Sequence, residues 1–454
     1  MSVIKKFSSL PHPKTSNLLF GNLLQLRDAK INFFMENRKT IGNIYRLRIP
    51  GKKIIVVTQP EWVKYILVDN NKNYTKSFAY DSIKVFLGNG LLTSEGEFWK
   101  RQRRMAQPAF HKEKLQLMFQ NMRTQIQKGV DVLEKNADTN KSINLSEILY
   151  KITLDVVNST LFYNEVENTT NEIYNLVSKG NEYIIDRVNN PIRLPNWIQT
   201  PHRKKEQAVL KAMDDVFFGV IDRRLNKKEQ HEDLLSMLMD ARDEETGKGM
   251  SKRQLRDEIL TIFIAGHETT QIALSWTLYL LSQNKDKRDL LYAEIDEKLE
   301  GATPTSQNIR SLHYLKQVID ESMRCFPPAW IVGRKTIEKD VINGYEIPEE
   351  TNVIMPIYVV HHDEQIWENP NHFLPERFSF EHYKDQHKYA YFPFGGGPRL
   401  CIGNNFAIQE MQIALIMILQ KFRIEINDDF IPELDPLVTL RPKNAMFAKV
   451  YKRK

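Results

Sequence analysis

Cysteine is nearly absent: the 454 residues include two, Cys325 and Cys401. That excludes a disulfide framework, and the lack of any C-x-x-C pair excludes a four-thiolate zinc site. So few thiols suit a reducing compartment, and a cytoplasmic location is expected. No run of about 18 apolar residues occurs, so no transmembrane helix and no integral membrane contact are expected. The N-terminal MSVIKKFSSLPHPKTSNLLFGN has lysines but no apolar stretch long enough for a signal peptide. Neither collagen-like nor low-complexity composition is present, with 19 glycines and 20 prolines. A large excess of one charge is missing too. The 64 Lys+Arg oppose 57 Asp+Glu for a net +7, and the signs are interspersed. No recognised nucleic-acid motif accompanies that excess, so nucleic acid is not an expected partner.

What remains is the profile of a globular enzyme, 41% hydrophobic and 27% charged. A chain of this length buries a large core unaided. At about 150 residues per domain it would form about three domains. No linker or internal repeat divides it, however, so residues 1–454 are read as one domain. Residues 43–58 (NIYRLRIPGKKIIVVT) alternate around Pro50-Gly51 and predict a hairpin. Helical spacing of apolar residues follows over 112–135, 144–163, 170–188 and 203–226. Residues 189–202 (NNPIRLPNWIQTPH) and 242–251 (RDEETGKGMS) read as loops, the first a candidate lid. Residues 251–284 predict a helix of about 50 Å, capped by Ser251 and apolar on most sides, hence central. Short β-like runs occupy 330–360, and a last apolar helix starts at Asn404. The fold class is mainly α (α+β).

Three glycines and a cysteine stand just before that last helix, in Phe394-Gly395-Gly396-Gly397-Pro398-Arg399-Leu400-Cys401-Ile402-Gly403. Glycines let a backbone approach a flat or bulky group. A thiolate is favoured near a helix N-terminus, and Arg399 can meet an anion. The constellation describes a thiolate ligand to a metal cofactor that carries carboxylates. A second anomaly is Ala265-Gly266-His267-Glu268-Thr269-Thr270, a polar patch inside the long apolar helix. There Thr269 can bond back to the carbonyl of Ala265 and bend the helix. Glu321 and Arg324, at i and i+3, share a helix face.

The cysteine segment resembles the heme-binding F-x-x-G-x-R-x-C-x-G loop of the cytochrome P-450 family, through Phe394, Gly397, Arg399, Cys401 and Gly403. The resemblance implies heme b (iron protoporphyrin IX) between the long central helix and the cysteine-loop helix, with Cys401 as axial ligand and metal ligand. The thiolate would push electron density onto iron and favour O–O cleavage. Phe394 would pack beside the sulfur and Arg399 would pair with a propionate. The helix hexapeptide resembles the family's A-G-x-[DE]-T motif. Ala265 and Gly266 are thereby expected to border the oxygen site. Thr269 would hydrogen-bond the dioxygen, and Glu268 would relay protons so that one oxygen leaves as water. His267 has no family role and reads as a satisfied helix histidine. Glu321, Arg324 and Arg377, the last in Pro375-Glu376-Arg377-Phe378, match a structural triad. Trp99 and Arg103, in a W-x-x-x-R pattern, and Arg334 are expected propionate ligands. His361-His362-Asp363 with Trp367 resembles a strand exit, with His361 near the heme edge.

These matches imply a heme-thiolate monooxygenase acting on O2 and a small organic substrate. Phe86, Leu92, Ala265, Ala329, Trp330 and Val438 are the expected pocket wall. All are apolar and suit a fatty acid, terpenoid or carotenoid. Lys52 reads as a surface lysine. O-demethylation of a methyl ether, such as a methoxylated sugar or aromatic, uses the same oxygen chemistry. A heme sensor or carrier without turnover is the alternative from another class, though no output module is visible. Electrons are expected from a separate ferredoxin or flavodoxin with its NAD(P)H-dependent reductase. Lys100, Arg101, Arg104 and Lys112 are a candidate basic face for it.

Overall fold

The protein is described from a computed structural model, covering residues 4–15, 17, 19–162, 170–189, 198, 200–227, 231 and 233–453. Most of the candidate lid 189–202 lies outside the described residues. The chain forms two compact units, each assembled from separated stretches.

The first unit comprises Met1–Asp81, Asp320–Cys401 and Asp435–Arg441. The expected hairpin is there: Ile44–Ile49 pairs antiparallel with Lys52–Val57 across the Pro50-Gly51 turn. Lys52–Val57 then pairs in parallel with Asn352–Met355. Val332–Thr336 and Tyr74–Lys76 complete a five-stranded sheet. Alternation puts Ile44, Ile55, Val57, Val353 and Met355 in one core with Leu67, Ile357 and Phe392. A separate ribbon, Asp340–Ile342 with Tyr345–Ile347, turns at Asn343-Gly344, both with positive φ (51° and 73°). The β-like pattern over 330–360 does not persist to its end. Ile357–His361 is a short helix behind Pro356, so His361 ends a helical turn rather than a strand.

The second unit comprises Ser82–Ile319, Ile402–Leu434 and Pro442–Lys454. Its helices include Gly96–Ala106, together with Lys112–Asn136, Leu145–Phe162, Thr170–Asn189, Pro201–Lys227 and Asn404–Leu419, the last five close to the ranges that the sequence predicts. The long helix runs unbroken from Lys252 to Gln283. Ser251 Oγ accepts from the amide of Gln254, whose own side chain accepts from the amide of Ser251, a reciprocal cap. Leu145–Phe162, Pro201–Lys227 and Asn404–Leu419 all pack on this helix. The rings of Phe162, Phe217 and Phe263 lie 5.7–6.0 Å apart in pairs. Being surrounded explains why the sequence is apolar nearly all round. Phe447–Lys452 lies between Ile143–Asn144 and Phe422–Ile426 in a small antiparallel sheet. Among the described residues no helix is long and apolar enough to cross a membrane.

Candidate active site

In the first unit the cysteine loop is built by close backbone approach. Phe394 accepts at its carbonyl from the amide of Cys401 (3.0 Å), and a single 3-10 turn, Gly397–Arg399, lies between them. Gly397 has φ +65°, and a Cβ there would stand 1.8 Å from the carbonyl oxygen of Leu67. A Cβ on Gly396 would stand 2.4 Å from the ring of Tyr389. The loop is therefore pressed against Leu67 on one side and Tyr389 on the other, and only glycine fits. The side chain held out at the end of this turn is Cys401, which is exposed, three residues before the helix Asn404–Leu419. Cys325 is the opposite case. Burial without solvent pushes its thiol up to about 12, so it stays protonated and inert.

Behind the loop lies the triad. Arg324 donates from Nε and Nη2 to the two oxygens of Glu321 at 2.7 and 2.8 Å. Arg377 Nε reaches Glu321 Oε1 at 3.3 Å, and the amide of Leu374 donates to the same oxygen. Arg324 also donates to the carbonyls of His361, Pro370 and His372, tying the end of a short helix and the following loop to its own helix. His361 accepts at Nε2 from the amide of Phe392, two residues before the cysteine loop. Its complete burial, with His362 and the Arg324 guanidinium beside it, holds it far below the ordinary histidine range, so it is neutral and can accept. Its role is to pin the entrance of the loop. Asp363 receives Arg38 at 2.7 Å, and Arg334, buried in its strand, donates to the carbonyl of Gly333. Among the described residues no carboxylate pairs with Arg334. Of the expected pocket residues here, Ala329 is half-buried and Val438 is 40% exposed. Trp330 departs from expectation. Its ring is buried against Phe34 and its Nε1 donates to the carbonyl of Leu437, so it is an anchor in the core.

In the second unit the polar hexapeptide opens one face of the long helix. Ile262, Ala265, Gly266 and Thr269 keep accessible surface, Ala265 being exposed, on a helix otherwise largely buried. That i, i+3, i+4, i+7 spacing is one stripe. Thr269 Oγ1 donates to the carbonyl of Ala265 at 2.7 Å as expected, and the helix continues through it without a break. Thr270 does the same to Gly266 at 2.9 Å. Glu268, half-buried, accepts from Asn181 Nδ2 at 2.9 Å, a partner from the helix Thr170–Asn189 that no sequence spacing announces. His267 is satisfied, as read from the sequence. Its Nδ1 bonds the carbonyl of Phe263 and its Nε2 the hydroxyl of Tyr150, with burial lowering its pKa. Trp99 is buried and Arg103 half-buried one turn apart on Gly96–Ala106. Gly403 precedes the last helix as its cap.

Two expectations change here. Phe86 has no accessible surface, since its ring stacks on Tyr183 at 6.4 Å; it is core, while Leu92 keeps partial exposure. The basic row is also weaker than its composition. Lys100 pairs with Glu97, and Arg104 pairs with both Asp243 and Glu245. Arg101 lies over the ring of Phe98, and Lys112 is exposed.

The donor set fits a porphyrin iron. Among the described residues no group of three or more His, Cys, Asp or Glu is arranged to hold a bare ion. A metal at Cys401 must bring its other ligands with it, as a porphyrin does, and needs one thiolate and a backbone shaped for close approach. Both are present.

The family model for cytochrome P450 matches residues 11–448. A putative cytochrome P450 132 of Mycobacterium tuberculosis is 30% identical over 425 residues, covering 89% of each chain. The carotene epsilon-monooxygenase of Arabidopsis thaliana is 29% identical over 443 residues, covering 91% of this chain and 80% of that one. The cyclooctat-9-en-7-ol 5-monooxygenase of Streptomyces melanosporofaciens is 28% identical over 410 residues, covering 89% and 87%. Among solved structures, the heme domain of cytochrome P450DA superposes with a TM-score of 0.88 at 26% identity, covering 98% and 97%. The chain belongs to the cytochrome P450 family, and it is a P450 monooxygenase.

Proposed function

We propose that this monooxygenase binds heme b through Cys401 and hydroxylates a hydrophobic substrate of terpenoid or carotenoid type. The observation that carries the reading is the exposed Cys401 at the end of a glycine loop that leaves no room for a side chain at Gly396 or Gly397. Bound there, the heme supplies dioxygen activation and oxidation of a substrate C–H bond. Arg399, Arg334, Trp99 and Arg103 are proposed to receive the propionates. A buried guanidinium such as Arg334, with one backbone carbonyl for company, is stabilised by a counter-charge.

Glu268 and Thr269 are proposed to move protons. The Thr269 proton is held by the carbonyl of Ala265, while its oxygen lone pairs remain able to accept. Delivering a proton from Oγ1 therefore requires receiving one, and Glu268, the adjacent residue on the same helix, is the proposed source. Asn181 orients the Glu268 carboxyl for this. Leu92, Ala265, Ala329 and Val438 present apolar accessible surface for substrate. The names of the two monooxygenase relatives, one naming a carotene and the other cyclooctat-9-en-7-ol, support a hydrocarbon-rich substrate of terpenoid or carotenoid type. Electrons are proposed to come from a ferredoxin or flavodoxin with its NAD(P)H-dependent reductase.

The test has two parts. Cys401→Ala is expected to lose the red-shifted carbonyl absorption of a reduced thiolate-ligated heme together with turnover. A variant that keeps oxygenating would sink the reading. A spectral binding screen of terpenoids, carotenoid fragments, fatty acids and methyl ethers then ranks the substrates. A response to fatty acids or methyl ethers alone would replace the isoprenoid assignment.

A further inference from the structure

Near the start of the long helix three consecutive charged residues are buried: Arg256, Asp257 and Glu258. Such residues are rarely enclosed unless each has a task. All three face the segment Phe86–Thr93. Arg256 Nη1 donates to the carbonyl of Phe86 (3.3 Å), the amide of Asn89 donates to Asp257 Oδ2 (2.8 Å), and the amide of Leu91 donates to Glu258 Oε2 (2.9 Å). Arg256 is itself paired with Asp257 and with Asp214 from the helix Pro201–Lys227. The two glycines of the segment make the approach possible. A Cβ on Gly88 would stand 2.3 Å from the Asp257 carboxyl, and one on Gly90 would stand 2.3 Å from Thr261 Oγ1. Thr93 closes the turn by donating to the carbonyl of Gly88 at 2.7 Å. The segment is thus fastened by its backbone, which leaves its side chains to face elsewhere. Among the apolar side chains of the segment, Leu92 is the half-exposed one, and it follows the last clamped amide.

We propose that Arg256, Asp257 and Glu258 form a clamp that fixes the segment Phe86–Thr93 along the helix, and thereby sets which substrates Leu92 admits. They are positioning residues for substrate selection and touch no reacting atom. The specificity half of the proposal rests on the oxygenase reading and on Leu92 bordering the substrate. The clamp itself rests on the hydrogen bonds.

The test uses the heme-loaded full chain. Hydrogen exchange is followed for residues 86–93, because the Asn89 and Leu91 amides are themselves the donors. Dissociation constants of dodecanoic acid and β-ionone are measured in parallel from the spectral shift of the ferric heme. Glu258→Ala and Asp257→Ala are expected to speed exchange about tenfold, the effect of leaving a buried amide without its acceptor. The ratio of the two dissociation constants is expected to change about fivefold, the scale of one misplaced apolar contact. Glu258→Gln keeps an acceptor oxygen and is expected to restore both. Gly90→Ala, which displaces the segment and leaves the clamp residues in place, provides the same ratio test where an alanine variant of the clamp does not fold. Faster exchange with an unchanged ratio overturns the specificity role, and unchanged exchange overturns the clamp. Failure of the oxygenase reading is distinguishable, because it is seen in the unmodified protein as no heme spectrum while the exchange measurement still reports on the clamp.

Discussion

Arg324 and Glu321 face each other through two hydrogen bonds, and neither side chain has any exposure to solvent. Such a pair gives little net stability compared with apolar packing. Losing one partner is costly, however, because the other charge stays buried. Glu321→Ala strands two arginines and the Leu374 amide at once. It is expected to destabilise the first unit by about 3–5 kcal/mol and to release heme. Chemical denaturation and heme absorbance check both. Retention of full stability would show that the triad is dispensable.

Gly397→Ala should be worse than its size suggests. The methyl group would meet the Leu67 carbonyl in a backbone with φ +65°, so strain and clash add. The expected result is folded protein with weakened heme binding, measured as heme content per chain. Gly247→Ala also places a residue at positive φ (66°) but meets nothing within 4 Å, and is expected to leave heme content unchanged.

Thr269→Ala removes the hydroxyl that faces the open stripe of the long helix. Electron consumption is expected to continue while product per electron falls about a hundredfold, the low end of the range typical of a positioned proton donor. The readout is the ratio of product formed to NAD(P)H oxidised. Asn181→Ala, which removes one hydrogen bond from the Glu268 carboxyl, is expected to lower that ratio less. An unchanged ratio in Thr269→Ala would remove this residue from proton delivery.

Glu258 predicts a pH dependence of stability. Burial and the like charge of Asp257 push its carboxyl up to about 8 from 4.5, opposed by the Leu91 amide. Arg256 and Arg253, each paired with both Asp257 and Asp214, also face this cluster. Below pH 4.5 the folded and unfolded chains both hold this proton. Between 4.5 and 8 only the folded chain does, so its contribution is lost as pH rises. Glu258→Gln should remove a decline of up to about 1.4 kcal/mol per pH unit across that window. Unfolding free energies of both proteins from pH 5 to 8 check it, and parallel curves would count against it. Glu410, fully buried and likewise held protonated, adds its own decline to both curves and cancels in the difference.

Much of this was legible in the residues. The long helix was readable because burial on all sides demands apolar residues on all sides, and Ser251 marked its start. The cysteine loop was readable because close backbone approach demands glycine, and Gly396, Gly397 and Cys401 stand together in one short segment. The Thr269 bond to Ala265 follows from helix geometry alone. Interactions between residues far apart in the chain were not legible. Asn181 meets Glu268, Tyr150 meets His267, and Leu91 meets Glu258 only once helices cross, and no local pattern encodes a crossing. The family pattern placed Phe86 and Trp330 on a pocket wall, whereas tertiary packing buries both side chains in the core. Arg104 counted as a free charge until the fold brought Asp243 and Glu245 to it. Local sequence determined which segments are helix, strand and thiolate loop, because those depend on neighbours in the chain. Tertiary structure alone decided which side chains keep accessible surface and which charges are already spent, because those depend on neighbours in space.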